Sequence, residues 1–223
     1  MKKKPVLKPM REQIYEAIQE SIITNVFAPG EELHIDRLAE EFGVSTTPIR
    51  EVLIRLEGRG LVTLIPNKGA RVTSIREEDV RNTWEMRMLL EPYAARITAT
   101  MNLEPEILEL EEAFKKLEKN PQDRELYMQS DINLHRVIYN HVPNNLLREM
   151  LRDVHQRSMR MRYFAEDVSQ IRDRVVREVI SEHKQILEAL LKKDSKGAFD
   201  AMKYHIENGE NRALLALTCK EES

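Results

Sequence analysis

Between Gln13 and Ile23 the apolar residues Ile14, Ile18 and Ile22 return at helical spacing, and Pro29-Gly30 then interrupts the chain. Leu38, Ala39 and Phe42 mark a second, short helix, which Gly43 can end by taking a positive φ at little steric cost. A third begins at Ser45 or Thr47, either of which suits an N-cap, with Pro48 tolerated in the first turn and Ile49, Val52, Leu53 and Leu56 sharing one face. The period then changes. Leu61 to Ile65 and Ala70 to Thr73 are β-prone runs around the turn-forming cluster Pro66-Asn67-Lys68-Gly69, which predicts a hairpin. Ser74-Ile75-Arg76-Glu77 reads as a capping box and places a domain boundary near residue 75.

Everything beyond reads helical. Breaks at Asn102 to Pro105, Asn120-Pro121, Val142 to Asn144, Glu166 to Ser169 and Lys193-Asp194 predict about six helices, and the short connections predict an antiparallel bundle. The expected fold is mainly α: a helix-turn-helix with a small β-hairpin over residues 1 to 75, then an all-α bundle over residues 76 to 223. The crowding of Gly and Pro into the first seventy residues agrees with that division.

Composition adds limits rather than direction. The net charge of −3 gives no global sign of nucleic-acid binding, so any such sign must be local, as in Lys2, Lys3, Lys4, Lys8 and Arg11. The single cysteine, Cys219, excludes an internal disulfide and fits a reducing compartment. The start is too polar for a signal peptide, and no run of about 18 apolar residues is present for a membrane span. A cytoplasmic protein without a membrane partner is expected.

The third helix carries the first candidate chemistry. With its apolar face buried, Thr46, Thr47, Arg50 and Glu51 lie near its start and on its other side. The N-terminal end of such a helix can enter a DNA major groove, where Arg bonds guanine with two hydrogen bonds and Thr meets a thymine methyl or a phosphate. Lys68 at the hairpin tip suits a phosphate, and Gly69 lets backbone approach the minor groove. A protein-interaction module with a solvated Arg50 is the plainer alternative.

The stretch PGEELHIDRLAEEFGVSTTPIREVLIRLEGRGLVTLIPNKGARV resembles the winged helix-turn-helix of GntR-family bacterial transcription regulators. The likeness runs through Pro29-Gly30, Leu38-Ala39, Gly43-Val44-Ser45, Thr47-Pro48, Arg50-Glu51, Leu56, Gly60-Leu61 and Gly69. It implies contact with double-stranded operator DNA through Thr47, Arg50 and Gly69. One position departs: Thr46 stands where the family commonly has Arg, which implies an altered operator contact there.

The second candidate lies in the bundle. Asp131 and His135 are four apart on a helix whose stripe continues through Met128 and Ile138, while His183 sits between Ile180 and Ile186 and His205 follows Met202. Three helices thus aim Asp or His inward, and a buried carboxylate needs compensation. A divalent metal drawing one carboxylate and three imidazoles together is one solution, and an Asp–His pair with two ordinary core histidines is the other. His141 and His155 fit neither and read as surface or interhelical residues. Arg87 has two readings, an intrahelical salt bridge to Glu91 or an anion contact in the cavity; Arg157, Arg160 and Arg162 read as a solvated face first and as further anion contacts second.

Residues 76 to 218 resemble the FCD domain of the FadR-like branch, through EMRMLLEPYAA, DINLHRVIYNHVPNNLLREML and EHKQILEALLKKDSKGAFDAMKYH, with about six helices matching the shorter, VanR-like form. That resemblance implies a metal held by Asp131, His135, His183 and His205, and a small carboxylate metabolite bound by Arg87. It also implies a homodimer. Zinc is placed first, with nickel, manganese or iron also compatible with this donor set. The expected function is a metabolite-responsive regulator, a repressor rather than an enzyme. The alternatives are a regulator whose signal is the metal itself and a metal-dependent helical-bundle enzyme.

Overall fold

The computed structural model describes residues 8–166 and 172–221, and the chain divides into two compact units, Met1–Ile75 and Arg76–Ser223. The first unit holds α1 (Met10–Ile23), β1 (Glu32–His34), α2 (Ile35–Phe42), α3 (Thr46–Glu57), β2 (Val62–Ile65) and β3 (Gly69–Val72). Ile14, Ile18 and Ile22 of α1 bury against Leu38 and Ala39 of α2, Ile49, Val52, Leu53 and Leu56 of α3, and Val62, Ala70 and Val72 of the strands. One apolar stripe per helix suffices for a small core.

Two local expectations need correction. The helix following the hairpin starts at Glu77 with Arg76 as its N-cap, and the reciprocal cap joins Arg76 to Asp79 rather than Ser74 to Glu77. Asp79 accepts from the Arg76 backbone N–H at 3.0 Å and from its guanidinium at 2.9 Å, so a charge-assisted pair displaces the Ser-based cap. The sheet also has a third strand. β1 pairs antiparallel with β3, giving the order β1-β3-β2; its three residues, of which only Leu33 is buried, are too short a run to show a period in the sequence.

That extra strand explains Gly69. Its φ is +152°, and a Cβ there would lie 1.9 Å from the Leu33 carbonyl oxygen. Gly69 is buried, so its missing side chain serves the close approach of β1, not an open wing tip. The turn itself behaves as predicted, with Asn67 at φ 61°.

The second unit contains α4 (Glu77–Thr98), α5 (Glu104–Lys119), α6 (Arg124–Asn140), α7 (Asn145–Glu166), α8 (Arg172–Leu191) and α9 (Ser195–Glu221). These are the expected six helices among the described residues. The break predicted at Glu166 to Ser169 lies, past Glu166, outside them, as do Lys2, Lys3 and Lys4. Asp123 caps α6 by accepting from the Leu126 N–H at 3.0 Å. α4 packs against α9, α7 and α6, and α5 against α6 and α8, so one interior is shared by helices distant in sequence. No helix among the described residues is long and apolar enough to cross a membrane.

Candidate nucleic-acid interface and candidate metal centre

In the first unit Gly43, at φ 64°, ends α2 and lets the chain turn into α3, whose N-cap is Ser45. Thr47 and Arg50 are exposed and Thr46 half-buried, opposite the buried face of Ile49, Val52, Leu53 and Leu56. Most nearby cations are neutralised locally: Lys8 by Glu16, Arg11 by Glu51 at 2.7 Å, Arg55 by Glu12 at 2.6 Å and Arg71 by Glu32. Arg50, Lys68 and Arg37 form no ion pair among the described residues. The unpaired cations therefore sit at the start of α3, at the hairpin tip and on α2. Sequence reasoning overlooked Arg37, whose exposed place on α2 becomes informative only once the other cations are seen to be paired.

In the second unit Asp131 and His135 of α6, His183 of α8 and His205 of α9 meet in the interior, each buried, with one donor atom apiece within 4.8 Å of the others. Asp131 Oδ1 lies 3.4 Å from His183 Nε2 and 3.8 Å from His135 Nε2. Both of those Nε2 atoms are buried and without a hydrogen-bond partner. Unsatisfied buried nitrogens are costly, and converging ones fit a cation.

On two of the histidines, His205 and His135, the opposite ring nitrogen lies beside a carboxylate. His205 Nδ1 lies 2.8 Å from Glu182, which also accepts from Arg212 through two nitrogens at 2.8 Å and from Asn208 at 2.8 Å. An acceptor there fixes the proton on Nδ1 and leaves the Nε2 lone pair facing the cluster. His135 Nδ1 lies 2.8 Å from Glu91, with the oxygen off the line of an aligned hydrogen bond. Glu91 in turn accepts from Arg87 Nε at 2.7 Å. Neither glutamate stood out in the sequence as part of a site, because their partners lie on other helices or on the same helix one turn back.

The carboxylate partner expected for Arg87 is thus supplied by the chain itself. Both groups are 1% exposed, so this is a buried pair, not the weak exposed bridge of an isolated helix. Arg162 is the larger surprise. It is mostly buried and pairs with Asp131 Oδ2, while its Nε and Nη2 are buried and unpartnered. Arg160 is also buried, and only Arg157, paired with Asp153 at 3.2 Å, keeps to the expected solvated face. His155 is interhelical but not superficial: its Nδ1 meets Tyr139 Oη at 3.1 Å, and its ring centroid is 5.2 Å from that of His135. His155 and Arg162 are seven apart on α7, on one face, which is the sequence signal that could have joined them.

Charge states follow from these partners. Burial alone favours a protonated Asp131, but Arg162 and the surrounding imidazoles hold its carboxyl well below the usual range. Glu182 is pushed down to about 2, with Arg212 and His205 outweighing burial. Burial brings His205 down to about 4 despite Glu182, and it drives His183 well below the ordinary imidazole value. Neutral His183 and His205 beside an ionised Asp131 form a donor set ready for a divalent cation at neutral pH.

The comparisons with known proteins agree with both halves. Residues 10–72 match the model of bacterial regulatory proteins of the gntR family, and residues 82–208 match the FCD domain. The chain belongs to the GntR family and carries an FCD domain. The HTH-type transcriptional repressor RspR of Escherichia coli (strain K12) is 27% identical over 89% of this chain and 86% of its own length. The Uxu operon transcriptional regulator of the same organism is 30% identical over 88% of this chain and 84% of its own length. Among solved structures, E. coli McbR/YncC superposes with a TM-score of 0.73 at 21% identity, covering 97% of this chain and 100% of that one, a likeness of fold. This GntR protein is a DNA-binding transcription regulator and not an enzyme.

Proposed function

We propose that this regulator is a cytoplasmic homodimeric repressor whose operator affinity is set by a small carboxylate bound beside a divalent metal. Asp131, His135, His183 and His205 would hold the metal, zinc first among the candidates, which when bound supplies an electrophilic position for an oxygen ligand. Glu91 and Glu182 orient His135 and His205, and Arg87 and Arg212 keep those glutamates ionised. The observation that carries the reading is the set of buried, unpartnered nitrogens around Asp131: Nε2 of His135 and of His183, with Nε and Nη2 of Arg162.

Electrostatics favours an anionic effector. Asp131, Glu91 and Glu182 balance Arg87, Arg162 and Arg212, so a divalent ion adds positive charge to a buried group that is already neutral. The open edge of Arg162 matches a carboxylate geometrically, whereas Arg87 is engaged and acts through Glu91. In the first unit Thr46, Thr47, Arg50 and Lys68 would contact DNA, Arg50 reading a base and Lys68 a phosphate, with Gly69 shaping the hairpin that presents Lys68. Binding in the bundle would shift it between two arrangements that present the paired reading heads differently.

The test uses chelator-stripped protein and a DNA site selected by the protein from a random pool. One zinc ion per chain should be taken up, and a panel of organic and sugar acids should include one that changes both DNA affinity and thermal stability only in the zinc form. Absence of metal uptake removes the four-ligand site. A change in DNA affinity on zinc removal alone, with every acid inert, makes the metal itself the signal.

A further inference from the structure

Tyr139 of α6 and His155 of α7 form a buried pair that the four-ligand centre does not use. Tyr139 is 1% and His155 5% exposed, and Tyr139 Oη lies 3.1 Å from His155 Nδ1. Burial pushes the phenol well above its ordinary range and, with Arg162 and His135, the imidazole well below its own, so both groups are neutral. A buried phenol that keeps its proton donates it to the nitrogen beside it, which leaves the His155 proton on Nε2. That N–H is buried and has no hydrogen-bond partner.

His155, Ser158 and Arg162 share one stripe of α7. Ser158 is buried, and its hydroxyl turns back onto the His155 carbonyl at 2.8 Å, so it satisfies neither neighbour. Long helical side chains lean toward the N-terminus, which carries the Arg162 guanidinium back toward His155. Arg162 Nη1 pairs with Asp131 while its Nε and Nη2 stay buried and unpartnered. α7 therefore offers free N–H donors at two places, at His155 beside His135 and at Arg162 beside Asp131. Buried donors left unfilled are costly.

Charge indicates what fills them. Asp131, Glu91 and Glu182 balance Arg87, Arg162 and Arg212, so a divalent cation on the four ligands leaves two positive charges in a buried space. One carboxylate against the open edge of Arg162 cancels half of that excess. A second carboxylate, accepting from His155 Nε2, cancels the rest and satisfies the orphan N–H. A hydroxyl in its place would make the hydrogen bond and leave the charge.

We propose that the effector is a short dicarboxylate, one carboxylate held by Arg162 beside the metal and the other by His155 Nε2. The inference rests on the metal-and-carboxylate reading above and narrows its ligand. Tyr139 is then a positioning residue, acting through His155 by fixing which ring nitrogen carries the proton.

Calorimetric titration of the zinc-loaded full chain tests it with matched acids: malonate and propionate, succinate and butyrate, glutarate and valerate, with γ-hydroxybutyrate as the neutral counterpart of succinate. In at least one pair the dicarboxylate should bind roughly 10–100-fold more tightly, the worth of one charge-assisted hydrogen bond. Tyr139→Phe/His155→Leu removes both partners together, so that no buried polar group is stranded, and should cut the preference to about threefold or less. His155→Gln, which keeps an N–H donor, should retain part of it. Side-chain nitrogen NMR should place the His155 proton on Nε2 and show that resonance moving with the preferred dicarboxylate. Equal affinities within every pair, a preference that survives in a folded Tyr139→Phe/His155→Leu variant, or a proton on Nδ1 overturns the dicarboxylate and leaves the proposed regulator standing. Should γ-hydroxybutyrate match a tightly bound succinate, the second carboxylate is overturned in the same way. A chain that takes up no zinc, or takes it up and binds none of these acids, overturns both readings.

Discussion

The two candidate sites use arginine in opposite ways. Arg50 in the first is exposed and without an ion pair among the described residues, as are Arg37 and Lys68. Arg87, Arg162 and Arg212 in the second are buried or nearly so, and each is tied to a carboxylate. A cation held ready for a polyanion must keep its charge uncompensated and hydrated until that partner arrives, at almost no cost to folding. A buried cation has lost its hydration and must be matched by the fold, so it contributes to stability as well as to the site. Charge that works outward is therefore separable from the fold, and charge that works inward is not.

The sharpest way to break that contrast is to delete one arginine from each side. Arg87→Ala strands Glu91 at 1% exposure and should destabilise the bundle by about 3–5 kcal/mol, read by denaturant unfolding. A loss below about 1 kcal/mol would show the pair is not matched by burial as described. Glu182→Gln keeps size but weakens the acceptor for His205 and Arg212, and zinc affinity should fall roughly 10–100-fold by competition with a chelator. Unchanged affinity would remove Glu182 from the orienting role.

On the outward side the expected effects are smaller and of another kind. Arg50→Ala should weaken binding to the selected DNA site by about 1–3 kcal/mol and relax sequence preference, with a melting curve indistinguishable from wild type. Equal losses on specific and random DNA would demote Arg50 to a phosphate contact. Lys68→Ala should act on all sequences alike and lower the slope of log affinity against log salt by about 1. A preserved slope would take the hairpin tip off the DNA.

Much of the first unit was legible because its rules are local. The turn at Gly43, the apolar face of α3 and the hairpin around Asn67 each depend on residues within a few positions of one another. β1 escaped because a three-residue strand has no period of its own and exists only through pairing with β3. In the bundle, Asp131, His135, His183 and His205 could be nominated because each interrupts an apolar stripe. Arg162 was assigned to solvent because neighbouring arginines on a helix usually are, and only the packing of α7 against α6 turns it to Asp131.

The sequence alone determined which faces of which helices are apolar, where the chain breaks between its units, and which four inward polar groups needed an explanation. These follow from periodicity, from the backbone freedom of Gly and Pro, and from the cost of burying charge. Tertiary structure decided the remainder: that Glu91 engages Arg87 inside the core, that Glu182 joins His205 to Arg212, and that Gly69 answers to Leu33. The reason is distance along the chain. Helical period shows which side a residue faces, but its charge partner is set by which other helix comes to lie there.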